Sequence, residues 1–349
     1  MTTLMPAPEN GSAPTPASTP AEARGRRTGL SLPGPCRAVL RQHRTALWIT
    51  VALFALAAAA LIADRLWVAH AADVFTASDC SIRHTTRECG GSVRGYLDAE
   101  LQFDRNLDYL GMGLLALPCL IGAFVAGPLV GRELETGTYK LGWTQSVTPA
   151  RWLADRLVVC AALVTAGTTL LVAVQRWAWT TGPEHAYSRG PWYERAIYGS
   201  VGPVALAYAL LGLAVGALAG LLLRRALPAV GVAVAVTAGA VAALPLLRPH
   251  LWPTETGSWA MGSRITVPDF SYEVDWSLLT ADGGRLPESV CWAPDPERCF
   301  ADHQVTGRYA EFHPSSHFWP LQLVEGAIVL VLAAAALYAA FRLLRRRAA

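Results

Sequence analysis

Residues 201–247 read VGPVALAYALLGLAVGALAGLLLRRALPAVGVAVAVTAGAVAALPLL. Two apolar runs, 201–223 and 226–247, are separated only by Arg224 and Arg225. A helix rises about 1.5 Å per residue, so each run can cross the roughly 30 Å hydrocarbon core of a bilayer. The short joint predicts a tight antiparallel hairpin. A buried helix of a large soluble core could account for one such run. However, residues 45–63, 109–130, 157–174 and 318–341 are also about that long and almost free of charge. The pattern predicts an all-α polytopic membrane protein with six transmembrane helices spread over residues 37–349. The first run follows a polar, Pro-rich stretch, whereas a cleaved signal peptide begins near residue 1 with a shorter apolar core. It reads as a permanent span.

Basic residues orient the spans. Arg24, Arg26, Arg27, Arg37, Arg41 and Arg44 precede the first, and Arg132, Lys140, Arg151 and Arg156 lie between the second and third. Arg224 and Arg225 join the fourth and fifth, and Arg342, Arg345, Arg346 and Arg347 follow the sixth. All fall on one side, while most acids fall on the other. The positive side is expected in the cytoplasm, with both termini. Cys80, Cys89, Cys291 and Cys299 then lie on the extracytoplasmic side, where disulfides persist. Four cysteines allow three pairings, and proximity favours Cys80–Cys89 and Cys291–Cys299. Zinc is the rival reading, but neither pair has knuckle spacing or a histidine in register, and no metal site is expected.

Residues 1–36 hold seven prolines among Ala, Ser and Thr and are expected to be a disordered cytoplasmic tail. The basic, half-apolar stretch 37–44 reads as an interfacial helix leading to Trp48. The loops 64–108 and 248–317, the second the larger extracytoplasmic loop, are long enough to fold as small caps stapled by their cysteines. Trp177, Trp179 and Trp319 suit an aromatic belt on that side. In the fourth span Gly212, Gly216 and Gly220 share one face, for packing within the subunit or at a dimer seam.

The chain has no G-x-x-x-x-G-K-[ST] loop, and Lys140 is its only lysine, so no phosphate-loop ATP hydrolysis is expected of it. No catalytic constellation is evident, nor any nucleic-acid partner. His313 and His317 are four apart, but Pro314 between them argues for a loop and an ordinary interfacial role. Glu325 is the one acid inside a span, with Gln322 on the same helical face. It either lines a pathway or gate or anchors the span near its outer end.

The segment 131–156 reads GRELETGTYKLGWTQSVTPARWLADR and is the one sizeable cytoplasmic loop between spans. Gly137 is expected to end the helix leaving the second span, and Thr148–Pro149 to cap the helix entering the third. Tyr139, Leu141 and Trp143 between them suit either a membrane surface or a docked partner.

The stretch LPCLIGAFVAGPLVGRELETGTYKLGWTQSVTPARWL (117–153) resembles the second span and cytoplasmic loop of bacterial ABC transporter permeases of the type-2 exporter class. LRQHRTAL (40–47), YALLGLAVGALAGLLLRRALPA (208–229) and FHPSSHFWPLQLVE (312–325) fit the same group. The resemblance implies the transmembrane subunit of an ATP-driven exporter, working as a homodimer or with a related permease. It would be driven by a separate ABC ATPase subunit that binds ATP and Mg, this chain holding no cofactor. Arg132, Glu133, Glu135, Gly137, Thr138, Tyr139 and Lys140 are the expected coupling contact with that subunit. Export rests on the resemblance alone, and the apolar spans favour a hydrophobic or amphipathic substrate of the drug or lipid class. The alternative is a membrane-anchored immunity or sensor protein that displays its large loop and transports nothing.

Overall fold

The computed structural model describes residues 44–137, 148–181, 190–292 and 294–348. Among these residues, six helical stretches are long and apolar enough to cross a membrane: Leu47–Thr76, Gly90–Thr136, Pro149–Thr180, Val204–Leu223, Ala226–His250 and Ser315–Arg347. The Pro-rich tail 1–36 and the stretch 37–43 lie outside the described residues.

Several helices overrun their apolar runs. Helix α1 (Arg44–Thr76) continues past residue 63 because its charges find partners. Asp64 accepts from Asn106 Nδ2 at 3.1 Å, and Arg65 donates to the Thr181 carbonyl and hydroxyl oxygens. Helix α2 (Gly90–Leu120) starts well before residue 109. The expected cap at 64–108 is therefore mostly helix, leaving a turn closed by the Cys80–Cys89 disulfide.

Helix α2 runs through a π turn (Ile121–Ala126) into α3 (Gly127–Thr136), making one long rod. The rod ends at Gly137, whose φ of 72° is the left-handed cap that glycine adopts without strain. Helix α4 (Pro149–Thr180) begins where Thr148 Oγ1 accepts from the Arg151 N–H at 3.4 Å, with Pro149 in the first turn. The short α5 (Arg195–Tyr198) precedes α6 (Val204–Leu223), and α7 (Ala226–Leu247) follows α6 after the two arginines.

Helix α6 is the buried axis of the bundle. A Cβ on Gly212 would lie 2.1 Å from the Pro118 oxygen, on Gly216 2.6 Å from the Gly122 oxygen, and on Gly220 2.9 Å from the Gly127 oxygen. The three glycines thus serve packing within the subunit, backbone against backbone. The rod answers with Pro118, Gly122, Gly127 and Gly131, spaced four, five and four. The step of five crosses the π turn, which keeps the small residues on one face.

The large loop corrects the all-α expectation. It folds as a four-stranded antiparallel sheet of order β1-β4-β2-β3, with β1 (Glu255–Ala260), β2 (Tyr272–Thr280), β3 (Arg285–Pro287) and β4 (Val305–His313). Period-two alternation, as in Tyr272–Thr280, is the pattern of a half-buried strand. Helix α8 (Pro296–Asp302), capped by Asp295, is tied to the turn Glu288–Cys291 by the Cys291–Cys299 disulfide. The sheet sits between α7 and α9 (Phe318–Ala348) in sequence, at the end of α7 remote from Arg224 and Arg225.

Gly216→Leu should lower the stability of the purified chain by about 1–3 kcal/mol, since side-chain atoms have no room there. Gly239→Leu is the control, because nothing lies within 4 Å of a Cβ built on Gly239. Thermal unfolding in detergent compares them, and equal melting temperatures would remove α6 from its central role.

Candidate functional site

Two clusters, one at each end of the bundle, carry the polar chemistry. At the sheet end Glu325, on the second turn of α9, is fully buried. Its Oε2 accepts from Arg248 Nε at 2.9 Å, and its Oε1 accepts from the Tyr208 hydroxyl at 2.9 Å and from Arg248 Nη2 at 3.4 Å. The Arg248 guanidinium in turn lies 3.6 Å from the centre of the Tyr198 ring. A buried ion pair repays its desolvation only when its remaining hydrogen-bonding capacity is also satisfied. Two-point contact, a hydroxyl and an aromatic face provide that here.

Gln322, one turn earlier, closes the break between α5 and α6. Its Nε2 donates to the Tyr198 carbonyl at 2.7 Å and its Oε1 accepts from the Val204 N–H at 3.1 Å. Gly202 leaves the space, for a Cβ there would lie 2.3 Å from Gln322 Oε1. The structure therefore buries Gln322 and Glu325 as fasteners of α9 to α6 and α7, rather than at a lipid interface. Sequence reading missed Arg248, Tyr208, Tyr198 and Gly202. The available signal was Arg248 itself, the first charge after the fifth apolar run and the cation that an intramembrane acid requires.

Aromatic rings seat the sheet above this pair. Trp192 Nε1 donates to the Phe270 carbonyl at 2.7 Å, and its ring meets Tyr272 and Phe318 edge-on at 6.3 and 6.1 Å. Tyr193 stacks on Tyr272 at 5.2 Å. Beside them Glu194 is held above the usual carboxylate range, first by burial and then by Asp108 and Asp104. The two histidines set aside in the sequence as interfacial sit at the foot of the sheet, with His313 fully buried.

At the arginine-rich end the acids of the expected coupling segment are engaged within the chain. Glu133 Oε1 accepts from Arg156 Nε at 2.8 Å, and its Oε2 lies 2.7 Å from Arg156 Nη2 and 3.2 Å from Trp152 Nε1. Arg156 also covers the Trp152 ring at 4.5 Å. Glu135 Oε2 accepts from the Ala226 N–H at 3.1 Å, satisfying the first turn of α7. Arg347 donates to the Leu221 carbonyl near the end of α6. Arg132 is exposed. Thr138, Tyr139, Lys140, Leu141 and Trp143 lie outside the described residues. The acids thus tie the end of α3 to the start of α4 and to the start of α7. Among the described residues no group of three or more His, Cys, Asp or Glu could hold a metal ion.

Glu325→Gln should destabilise the chain by about 3–5 kcal/mol, because it strands a buried Arg248. Adding Arg248→Met should recover much of that loss. Thermal unfolding of the two single variants and the double variant checks this, and strictly additive losses would mean that the pair is not coupled.

The family described as ABC-2 membrane transporter related matches residues 51–248, from α1 to the end of α7, leaving the sheet and α9 beyond the match. No curated protein and no solved structure matches the chain. The matched region is more than half of the 349 residues and covers all or most of five of the six candidate spans found among the described residues. The chain belongs to the ABC-2 membrane transporter related family.

Proposed function

We propose that this chain is the permease subunit of an ATP-driven exporter, with nucleotide hydrolysis in a separate ABC ATPase that binds ATP and Mg. Family membership carries the reading. Three observations support it: six spans, no phosphate loop in the sequence, and one short connection with both of its ends clamped. A motor outside the membrane can move the spans only through an element that transmits force without bending. The connection 138–147 leaves a rod more than forty residues long and enters a helix locked to it by Glu133, Arg156 and Trp152. Residues 132–140 form the coupling element in this reading. Tyr139 and Lys140 contact the ATPase, while Glu133 and Glu135 hold the platform rigid.

The arginine-rich end then faces the cytoplasm of a plasma-membrane protein, and the disulfide-bonded sheet faces the other side. The working unit is a dimer, either of two copies or with a related permease. The substrate is hydrophobic or amphipathic, because the spans expose apolar side chains with few polar groups along them.

Tyr139→Ala with Lys140→Ala should reduce co-purification of the ATPase subunit about tenfold, about 1.4 kcal/mol, with the helical content unchanged. Wild-type recovery of the complex would move docking to the basic stretch 37–44. Orientation is tested with a membrane-impermeant thiol reagent on intact cells. It should label Cys80, Cys89, Cys291 and Cys299 only after reduction and leave Cys36 untouched. Labelling of Cys36 from outside would reverse the topology.

A further inference from the structure

The two-residue joint between α6 and α7 puts an arginine where a glycine would fit without strain. Arg224 closes α6 with φ 52° and ψ 17°, its N–H returned to the Gly220 carbonyl at 3.0 Å. This left-handed cap crowds any residue with a Cβ, and glycine is its usual occupant. Gly137 ends the rod in the same conformation. Yet no contact within the fold holds the Arg224 side chain: it is exposed, and among the described residues its guanidinium has no hydrogen-bond or ion-pair partner. Strain kept at a residue with no internal contact points to a use outside the fold.

Other cations meet at the same corner. Arg225 is exposed and extended just before Ala226. Arg347, near the end of α9, donates to the Leu221 carbonyl and stands within electrostatic reach of Arg224. The acids on the neighbouring helix ends are engaged elsewhere or at most partly offset this charge. Glu133 is held by Arg156 and Trp152, and Asp155 lies 4.0 Å from Arg151. Glu135, on the Ala226 N–H, brings one negative charge to the joint against three positive ones.

The depth of these groups is fixed by the sequence. The chain is apolar up to Leu223 and again from Ala226, so two residues are too few to lift the joint off a bilayer. Leu222, Leu223 and Leu227 flank it, all exposed, Leu227 to 82%. Guanidinium forks at headgroup depth match phosphate oxygens, and the leucines below them match acyl chains. A soluble anion would use the first feature and leave the second idle.

We propose that Arg224, Arg225 and Arg347 form a binding site for the headgroup of an anionic phospholipid, whose acyl chains lie against Leu222, Leu223 and Leu227. A lipid held there braces the ends of α6, α7 and α9 against one another. The site needs neither the ATPase nor a direction of transport, and it serves whichever side of the membrane the joint faces.

The test follows the melting temperature of the full chain in a neutral detergent as phosphatidylglycerol or phosphatidylcholine is added. Phosphatidylglycerol should raise it saturably, and phosphatidylcholine at the same concentrations should not. Arg224→Gly with Arg225→Gln should shift the phosphatidylglycerol midpoint about tenfold upward. The glycine suits the left-handed cap, so this variant should melt near the wild-type temperature without lipid. If it melts early, phosphatidylglycerol retained in native mass spectrometry gives the same comparison independently of stability. Arg151→Gln with Arg342→Gln removes the same charge from exposed positions away from the joint. It should keep the midpoint within about twofold, because distant exposed charges are screened by salt. An equal loss in that control would reduce the effect to overall charge and overturn the site. So would a wild type indifferent to phosphatidylglycerol, an unchanged response in the joint variant, or equal stabilisation by inorganic phosphate.

Discussion

Gly212, Gly216 and Gly220 allow the backbone of α6 to touch carbonyl oxygens of the α2–α3 rod, and the remaining helices are arranged around that contact. Lipid tails are as apolar as leucine, so helices gain little by merely hiding apolar side chains from the bilayer. Close backbone approach supplies dispersion and weak polar contact instead. It also explains why α6 is the most deeply buried span while α1 and α7 present Leu53, Leu56, Leu227 and Val236 outward.

Once α6 is fixed, both of its ends become anchoring points. At one end Arg347 reaches the Leu221 carbonyl and Glu135 the first amide of α7. At the other, Gln322 bridges into α6 and Glu325 takes the Tyr208 hydroxyl. These polar groups are few, and each is committed to a named partner, as expected where an unsatisfied group costs several kcal/mol. The bundle is consequently stiff at both ends, with backbone-to-backbone packing in between.

Apolar run length made the six spans legible, because a bilayer demands that length and little else in a sequence supplies it. Gly137 and Thr148–Pro149 were legible for a similar reason, since a left-handed cap and a first-turn proline are local requirements. The sheet was not. Its central strand β4 lies between β1 and β2, and only the pairing of Trp259 with Arg308 and Trp276 with Ala310 across distant segments defines it. Helix lengths were misjudged where polar partners arrive from elsewhere, as Asn106 does for Asp64. At the candidate site, Glu325 stood out as an intramembrane acid, but its burial and its partner Arg248 depend on how α7 and α9 meet. The intrachain engagement of Glu133 and Glu135 was equally a matter of tertiary arrangement.

The π turn at Ile121–Ala126 also sets an azimuth. A helix rotates about 100° per residue, so the extra residue in that wide turn decides which way everything after it points. Shortening the turn by one residue into regular helix would swing Gly131 off Ala226 and turn Glu133 away from Arg156 and Trp152, with all of these contact residues still present. The two ends of the rod are thus phased to one another by a single backbone insertion, much as two cams are keyed on one shaft.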